Sequence, residues 1–177
     1  SYNGPNFSRG ISKSAIKNWF INRAIKKGIP WDQIVNKRKE EFKKLEIIKN
    51  DIENINIEYP NYYTKPFHSI PGGWLSKFAA ENNRIAMQAI YQDAHPEACE
   101  GVRKELSKFV PKSSTRIVDL GSGDGDGPAI TARMFPSAKV IAIEASPFMI
   151  VCGRRQNRDC VNLEFHHQLA ENTYIPS

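Results

Sequence analysis

The run from Ile117 to Gly127, I-V-D-L-G-S-G-D-G-D-G, constrains this chain more than any other stretch. Arg116 to Asp119 read as a short buried strand, and Leu120 leads into glycines at 121, 123, 125 and 127. A helix is expected to start near Pro128. A strand, a glycine-rich turn and a helix N-terminus form a cradle in which the backbone can turn sharply and approach a ligand with no Cβ in the way. The acids interleaved with the glycines narrow the choice of ligand. Asp119, Asp124 and Asp126 would repel a pyrophosphate, whereas a ligand with a cationic centre and an amino-acid end would tolerate them.

A second strand, Lys139 to Glu144, ends in an acid placed 25 residues after Asp119. An acid about 20 residues past such glycines accepts hydrogen bonds from ribose hydroxyls in dinucleotide-binding folds. The spacing here is G-x-G-x-G rather than G-x-G-x-x-G, which weighs against a dinucleotide. A helix is expected over 147–157, and the alternation V-N-L-E-F-H over 161–166 predicts a third strand. The pattern predicts an α/β fold built on a β-α-β unit. A unit of this type that no longer holds a ligand remains an open alternative.

V-D-L-G-S-G-D-G followed at this distance by V-I-A-I-E resembles motif I and the next acidic strand end of class I S-adenosylmethionine-dependent methyltransferases, in particular the ubiquinone-biosynthesis-like methyltransferase domain. The resemblance implies a Rossmann-like methyltransferase fold and S-adenosylmethionine as cofactor. It implies that Asp119, Gly121, Gly123 and Gly125 shape the pocket for the methionine part, that Glu144 binds the ribose hydroxyls, and that Ser122 and Ala145 belong to the cofactor site. Residues 168–177 are similar to the loop that leaves the third strand and touches the adenine. Leu169 stands there where relatives often carry an acid that bonds the adenine amino group. The chain supplies about the first half of the family sheet, so the methyl acceptor and the catalytic base have no assigned residues. In the family's strand order the strand 116–119 is central. Either the polypeptide is therefore expected to continue past Ser177, or a protein partner covers that edge, because unpaired strand edges attract pairing.

The segment Tyr59 to Leu75 is dense in aromatics, Pro and Gly and reads as an ordered loop. It is similar to a Tyr-Tyr…Pro-Phe-His…Gly stretch ahead of the core in plant and algal relatives, many of them plastid proteins. The resemblance implies a lid with Tyr63, His68 and Trp74 at the pocket. Packing under a loop explains the same aromatics equally well.

Residues 1–58 carry 12 Lys and Arg against 7 Asp and Glu, a net of +5 out of +6 for the whole chain. This basic extension is expected to hold two helices, one from about Ser12 ending at Lys26-Lys27-Gly28, and one from Trp31 into the fifties. Their basic runs read as solvated faces, with contact to an anionic or protein surface as the alternative. Acids interleave with the bases, so nucleic acid is not the expected partner. Two more helices are predicted before the first strand. One covers 76–91, with Phe78, Ala79, Ile85, Ala86, Ala89 and Ile90 inward. The other covers 97–109, with Val102, Leu106 and Phe109 inward. The chain divides accordingly into the extension 1–58, an aromatic loop and helices over 59–115, and the Rossmann-like half over 116–177. No apolar run approaches the roughly 18 residues that span a bilayer. Cys99, Cys152 and Cys160 have no metal-like spacing and suggest a reducing, intracellular compartment, with the plastid stroma implied by the resemblance alone. His166 and His167 point to opposite faces of a strand, so no metal site is expected.

Two readings follow. The polypeptide is an S-adenosylmethionine-dependent methyltransferase, or it is a methyltransferase-like structural subunit of a larger, membrane-associated assembly.

Overall fold

A computed structural model describes residues 13–66, 70, 72–91 and 99–175, apart from the side chains of 13–16, 41–48, 91 and 99. Three strands, β1 (Arg116–Leu120), β2 (Lys139–Glu144) and β3 (Leu163–His167), form a parallel sheet in the order β1-β2-β3. Val118 pairs with Ile141, and Ile141 with Glu164. The central strand reads V-I-A-I because Val140, Ile141, Ala142 and Ile143 are all buried, as a strand covered on both faces requires. Helix α6 (Asp126–Met134) crosses from β1 to β2, and α7 (Pro147–Gln156) from β2 to β3. Ala142 and Phe165 pack against Ile150 of α7.

Four longer helices precede the sheet: α1 (Lys13–Lys26), α2 (Trp31–Asn50), α4 (Lys77–Tyr91) and α5 (Cys99–Ser107), with the single turn α3 (Asn61–Thr64) between α2 and α4. Helix α1 ends as its sequence predicts. Gly28 takes φ +69°, and the Ile29 N–H reaches back to the Ala24 carbonyl at 2.9 Å, the closing bond of a glycine-terminated helix. Ala24, Trp31, Val35, Ile85 and Ala89 then form a shared core of α1, α2 and α4, with Phe20 packed against it. A second cluster joins Ala79 and Ala80 of α4 to Met149, Val151 and Cys152 of α7. The helices of the basic extension therefore pack on α4, and α2 also reaches α7. Among the described residues no helix is long and apolar enough to cross a membrane.

Several sequence expectations need correction. The third strand runs over 163–167 rather than 161–166, because residues 160–162 are taken up by the turn in which Leu163 N–H bonds the Cys160 carbonyl. Helix α6 starts two residues before Pro128, with Gly125 at its N-cap. Phe78, Leu106 and Phe109 are exposed rather than inward. The buried stripe of α4 runs through Ala79, Ile85 and Ala89 and leaves Phe78 one position off it, while α5 stops at Ser107, so helical phase no longer governs Phe109. The basic run of α2 is only partly solvated. Lys37 and Lys39 are exposed, but Arg38 between them is buried.

Residues 51–60 strap across the ends of β2 and β3. The Asn54 N–H donates to His167 Nδ1 at 2.7 Å, which leaves the ring proton on Nε2, 3.0 Å from the Ala145 carbonyl. The Tyr59 hydroxyl donates to the same carbonyl at 2.8 Å. Burial, ahead of the nearby charges, lowers the His167 pKa below 6.5, and a proton on Nδ1 would collide with the Asn54 donor. The fold holds His167 neutral, so its contribution is complete above pH 6.5 and declines as pH falls through the lowered value. Urea midpoints measured between pH 7 and 5 should fall more steeply for wild type than for His167→Gln; equal slopes would contradict this arrangement.

Candidate functional site

The loop after β1 is held by backbone bonds to the end of β2. Gly121 and Ser122 N–H both donate to the Ile143 carbonyl, at 2.9 and 3.0 Å. Gly121, Gly123 and Gly125 take φ values of +70°, +58° and +84°, a region that side chains rarely adopt, so the three glycines are required by the turn itself. A Cβ on Gly121 would meet nothing within 4 Å. One on Gly125 would lie 2.6 Å from Phe165 Cζ. Helix α6 begins immediately after the loop, so its N-terminal dipole end faces the same space.

Glu144 closes that space from the other side. Its Oε2 accepts the Gly123 N–H and its Oε1 the Ser146 N–H, each at 2.8 Å. Burial raises the Glu144 pKa above 4.5, against the lowering effect of these backbone donors. Loop, strand end and preceding helices enclose a cleft of about 510 Å³, within the ordinary range of ligand sites, roughly 300–1,000 Å³. Gly121, Ser122, Gly123, Glu144 and Ala145 line it, as do Tyr63 and Trp74 from the aromatic segment. His68 lies outside the described residues. Asp119 is buried at the end of β1, and Gly125 forms the back of the loop against Phe165.

Three arginines near the cleft could not be assigned from sequence, because each comes from a helix outside the glycine-rich motif. Arg38 of α2 pairs with Asp124 at 3.0 Å, Arg84 of α4 with Asp126 at 3.1 Å, and Arg103 of α5 with Asp119 at 2.6 Å. The Arg103–Asp119 contact is an ion pair by distance, although no hydrogen bond reaches Asp119 Oδ2. Each of these acids is thus matched by a cation, and the three would not repel a phosphate as their sequence positions suggest. The case against pyrophosphate rests instead on Glu144. Its carboxylate already occupies the Gly123 N–H that a phosphate would use. Among the described residues Glu144 is held by backbone N–H groups rather than by a cation.

The aromatic segment reaches over the turn after β3. The Tyr62 and Tyr63 hydroxyls both donate to the Glu171 carboxylate, Tyr63 at 3.1 Å. Burial, then this bond, pushes the Tyr63 pKa up to about 12, so it stays a neutral donor. Gly73 lets the segment fold on itself, since a Cβ there would meet the Tyr63 and Lys65 carbonyls at 2.6 and 2.7 Å.

S-Adenosylmethionine fits the chemistry of this site on two further observations. Ser122 Oγ is buried at the cleft with no partner among the described residues, an orphan that calls for a ligand group or water. A carboxylate offers about four lone-pair sites, and the Glu144 side chain accepts from the Gly123 and Ser146 N–H groups with the Ala145 N–H also acting on it, which leaves capacity for a ligand hydroxyl.

No family model matches the chain. A 68-residue stretch is 29% identical to trans-aconitate 2-methyltransferase of Variovorax paradoxus (strain S110), covering 38% of this chain and 26% of that relative. The aligned stretch thus spans about a quarter of the relative's length. The similarity is to a methyltransferase, and it agrees with the partial α/β sheet described above.

Proposed function

We propose that this chain forms the S-adenosylmethionine-binding half of a methyltransferase. The observation that carries the reading is Glu144, fixed 2.8 Å from the Gly123 N–H across a cleft lined by the loop 121–125. Glu144 would accept a hydrogen bond from the ribose diol. Gly121 and Gly123 would leave room for the methionine part beside the helix α6 N-terminus, and the Ser122 hydroxyl would gain its missing partner there. Ala145, with its carbonyl held by Tyr59 and His167, would keep the β2 end in place. Tyr63 and Trp74 would cover the cleft from above and exclude water. The cofactor supplies an already activated methyl group on a sulfonium, so the protein's part is to hold donor and acceptor aligned.

Ultraviolet cross-linking of the full polypeptide with methyl-tritiated S-adenosylmethionine tests this placement. Label is expected on peptides carrying 59–75, 119–127 or 144–149 and should be competed by S-adenosylhomocysteine. Label that is absent, or that falls elsewhere without competition, would remove the assignment.

One observation favours a second reading, an interaction role. Among the described residues β1 is an edge strand, and Val118 and Leu120 on it are 40% and 55% exposed. A further strand from this polypeptide or from another chain would cover them. Chemical cross-links from residues 112–120 to a different protein, together with no S-adenosylmethionine labelling, would favour this role over the enzyme.

A further inference from the structure

The glycine loop is anchored from outside by the basic extension. Asp124 sits between Gly123 and Gly125, two residues with positive φ and little conformational preference of their own. Both of its carboxylate oxygens are held by helices that precede the sheet. Arg38 Nη2 of α2 donates to Oδ2 at 3.0 Å, and Asn83 Nδ2 of α4 donates to Oδ1 at 3.2 Å. The Arg38 side chain is 9% exposed and that of Asp124 6%, so the pair is shielded from solvent and little screened. The same guanidinium donates to the Ala80 carbonyl at 2.8 Å and lies 3.4 Å from Gln156 Oε1, an oxygen also held by Arg84. One planar fork thus ties α2, α4, the end of α7 and the glycine loop together, with Arg38 and Asp124 separated by 86 residues. A lysine could not span these acceptors, because it carries a single point charge in place of the fork.

We infer that Arg38 is a positioning residue for the cofactor loop, so that the docking of the N-terminal extension and the affinity for S-adenosylmethionine are coupled. The affinity part rests on the function proposed above; the loop-holding part does not. Removing the guanidinium leaves a buried carboxylate without its counter-charge, held by Asn83 alone, while the backbone bonds of Gly123 and Gly125 fix the turn but not the Asp124 side chain. The coupling is reciprocal by linkage: a cofactor that favours the ordered loop also favours a docked α2. The basic run that sequence reasoning treats as a solvated face therefore contains one residue that belongs to the site.

Hydrogen exchange read by mass spectrometry, with S-adenosylmethionine titrations on the same samples, tests the inference in the full chain. In Arg38→Met, amides of 121–127 should exchange at least about tenfold faster while β2 and β3 keep their protection, and the dissociation constant should rise by about tenfold. In Arg38→Met/Asp124→Asn, where no buried charge is stranded, global stability should recover while loop exchange and the dissociation constant stay more than about threefold above wild type, because the fork that ties the loop to α2 is still missing; a return of both to wild-type values would overturn the inference. Arg38→Lys, the variant least at risk of unfolding, should fold and show a smaller increase in both. Arg38→Lys that matches wild type in both readouts would overturn the inference. So would Arg38→Met that loosens only α2 and leaves loop exchange and affinity unchanged. A wild-type protein that does not bind S-adenosylmethionine would sink the proposed function, and the exchange rates of 121–127 would still decide whether Arg38 holds the loop.

Discussion

Glu144→Ala is expected to weaken S-adenosylmethionine binding by roughly 10- to 100-fold. A hydrogen bond to a charged acceptor contributes about 1.5–3 kcal/mol, and losing one from the ribose diol corresponds to about one to two decades in affinity. The substitution also strands the Gly123 and Ser146 N–H groups, which now donate to this carboxylate. A stability loss of about 1–3 kcal/mol should accompany it. Glu144→Gln separates the two effects, because the amide keeps one acceptor oxygen and loses the charge. It should retain more of the fold and still bind clearly more weakly than wild type. Acid provides an independent check. The raised pKa means that the folded protein takes up the Glu144 proton more readily than the unfolded chain does. The cost of ionised Glu144 to stability is therefore present at neutral pH and is relieved as pH falls through the raised value. Affinity should move the opposite way over the same range, since a protonated carboxyl accepts less well. Urea midpoints and titration calorimetry on wild type and Glu144→Gln measure both trends. Wild-type affinity in a folded Glu144→Ala would remove Glu144 from the site.

Gly125→Ala is expected to be the most destabilising single-methyl change in the loop. Its φ of +84° already disfavours any side chain, at about 1–2 kcal/mol. The added Cβ would also lie 2.6 and 2.9 Å from Phe165 Cζ and Cε1, and 3.1 Å from Asn157 Nδ2. Phe165 cannot retreat easily, because it is buried with Ala142 and Ile150 and a Cβ on Gly153 would press on the same ring edge. Overpacking of this kind costs about 1–3 kcal/mol, so the total is roughly 2–5 kcal/mol, a large share of a typical domain's stability. Gly121→Ala is the control. Its φ is similarly positive at +70°, but nothing lies within 4 Å of the new methyl, so only the strain remains. Equal urea midpoints for the two variants would show that Phe165 does not press on the loop.

The local chemistry of the core was legible because it is contiguous. Arg116 to Gly127 and Lys139 to Glu144 each carry their strand, turn and acid within a few residues, and β1, β2 and the loop stand where that pattern puts them. Of the four glycines that the sequence groups in one turn, Gly121, Gly123 and Gly125 take positive φ, whereas Gly127 lies in the first turn of α6. What could not be read were contacts between segments far apart in sequence. Arg38 sits in a run, K-R-K, whose neighbours are solvated, and only the packing of α2 on α4 and α7 turns it inward. Arg84 and Arg103 likewise find their acids only after α4 and α5 have folded back on the loop. The exposure of Leu106 and Phe109 has a different origin: Leu106 faces the open cleft, and Phe109 lies past the end of α5. Apolar periodicity names the face that prefers burial, but here that preference met a short α5 and an open cleft. His167 shows the limit from another side. Its place in a strand was expected, but its partners Asn54 and Tyr59 lie more than 100 residues away.

Isothermal titration of the full polypeptide with S-adenosylmethionine tests the central claim most directly. The arrangement of Glu144, the glycine loop and the cleft predicts saturable one-to-one binding in the micromolar range, about −8 kcal/mol, that competes with S-adenosylhomocysteine. A folded protein that takes up no S-adenosylmethionine at millimolar concentration would contradict it, and the glycine loop would then stand as an inherited structural turn rather than a cofactor site.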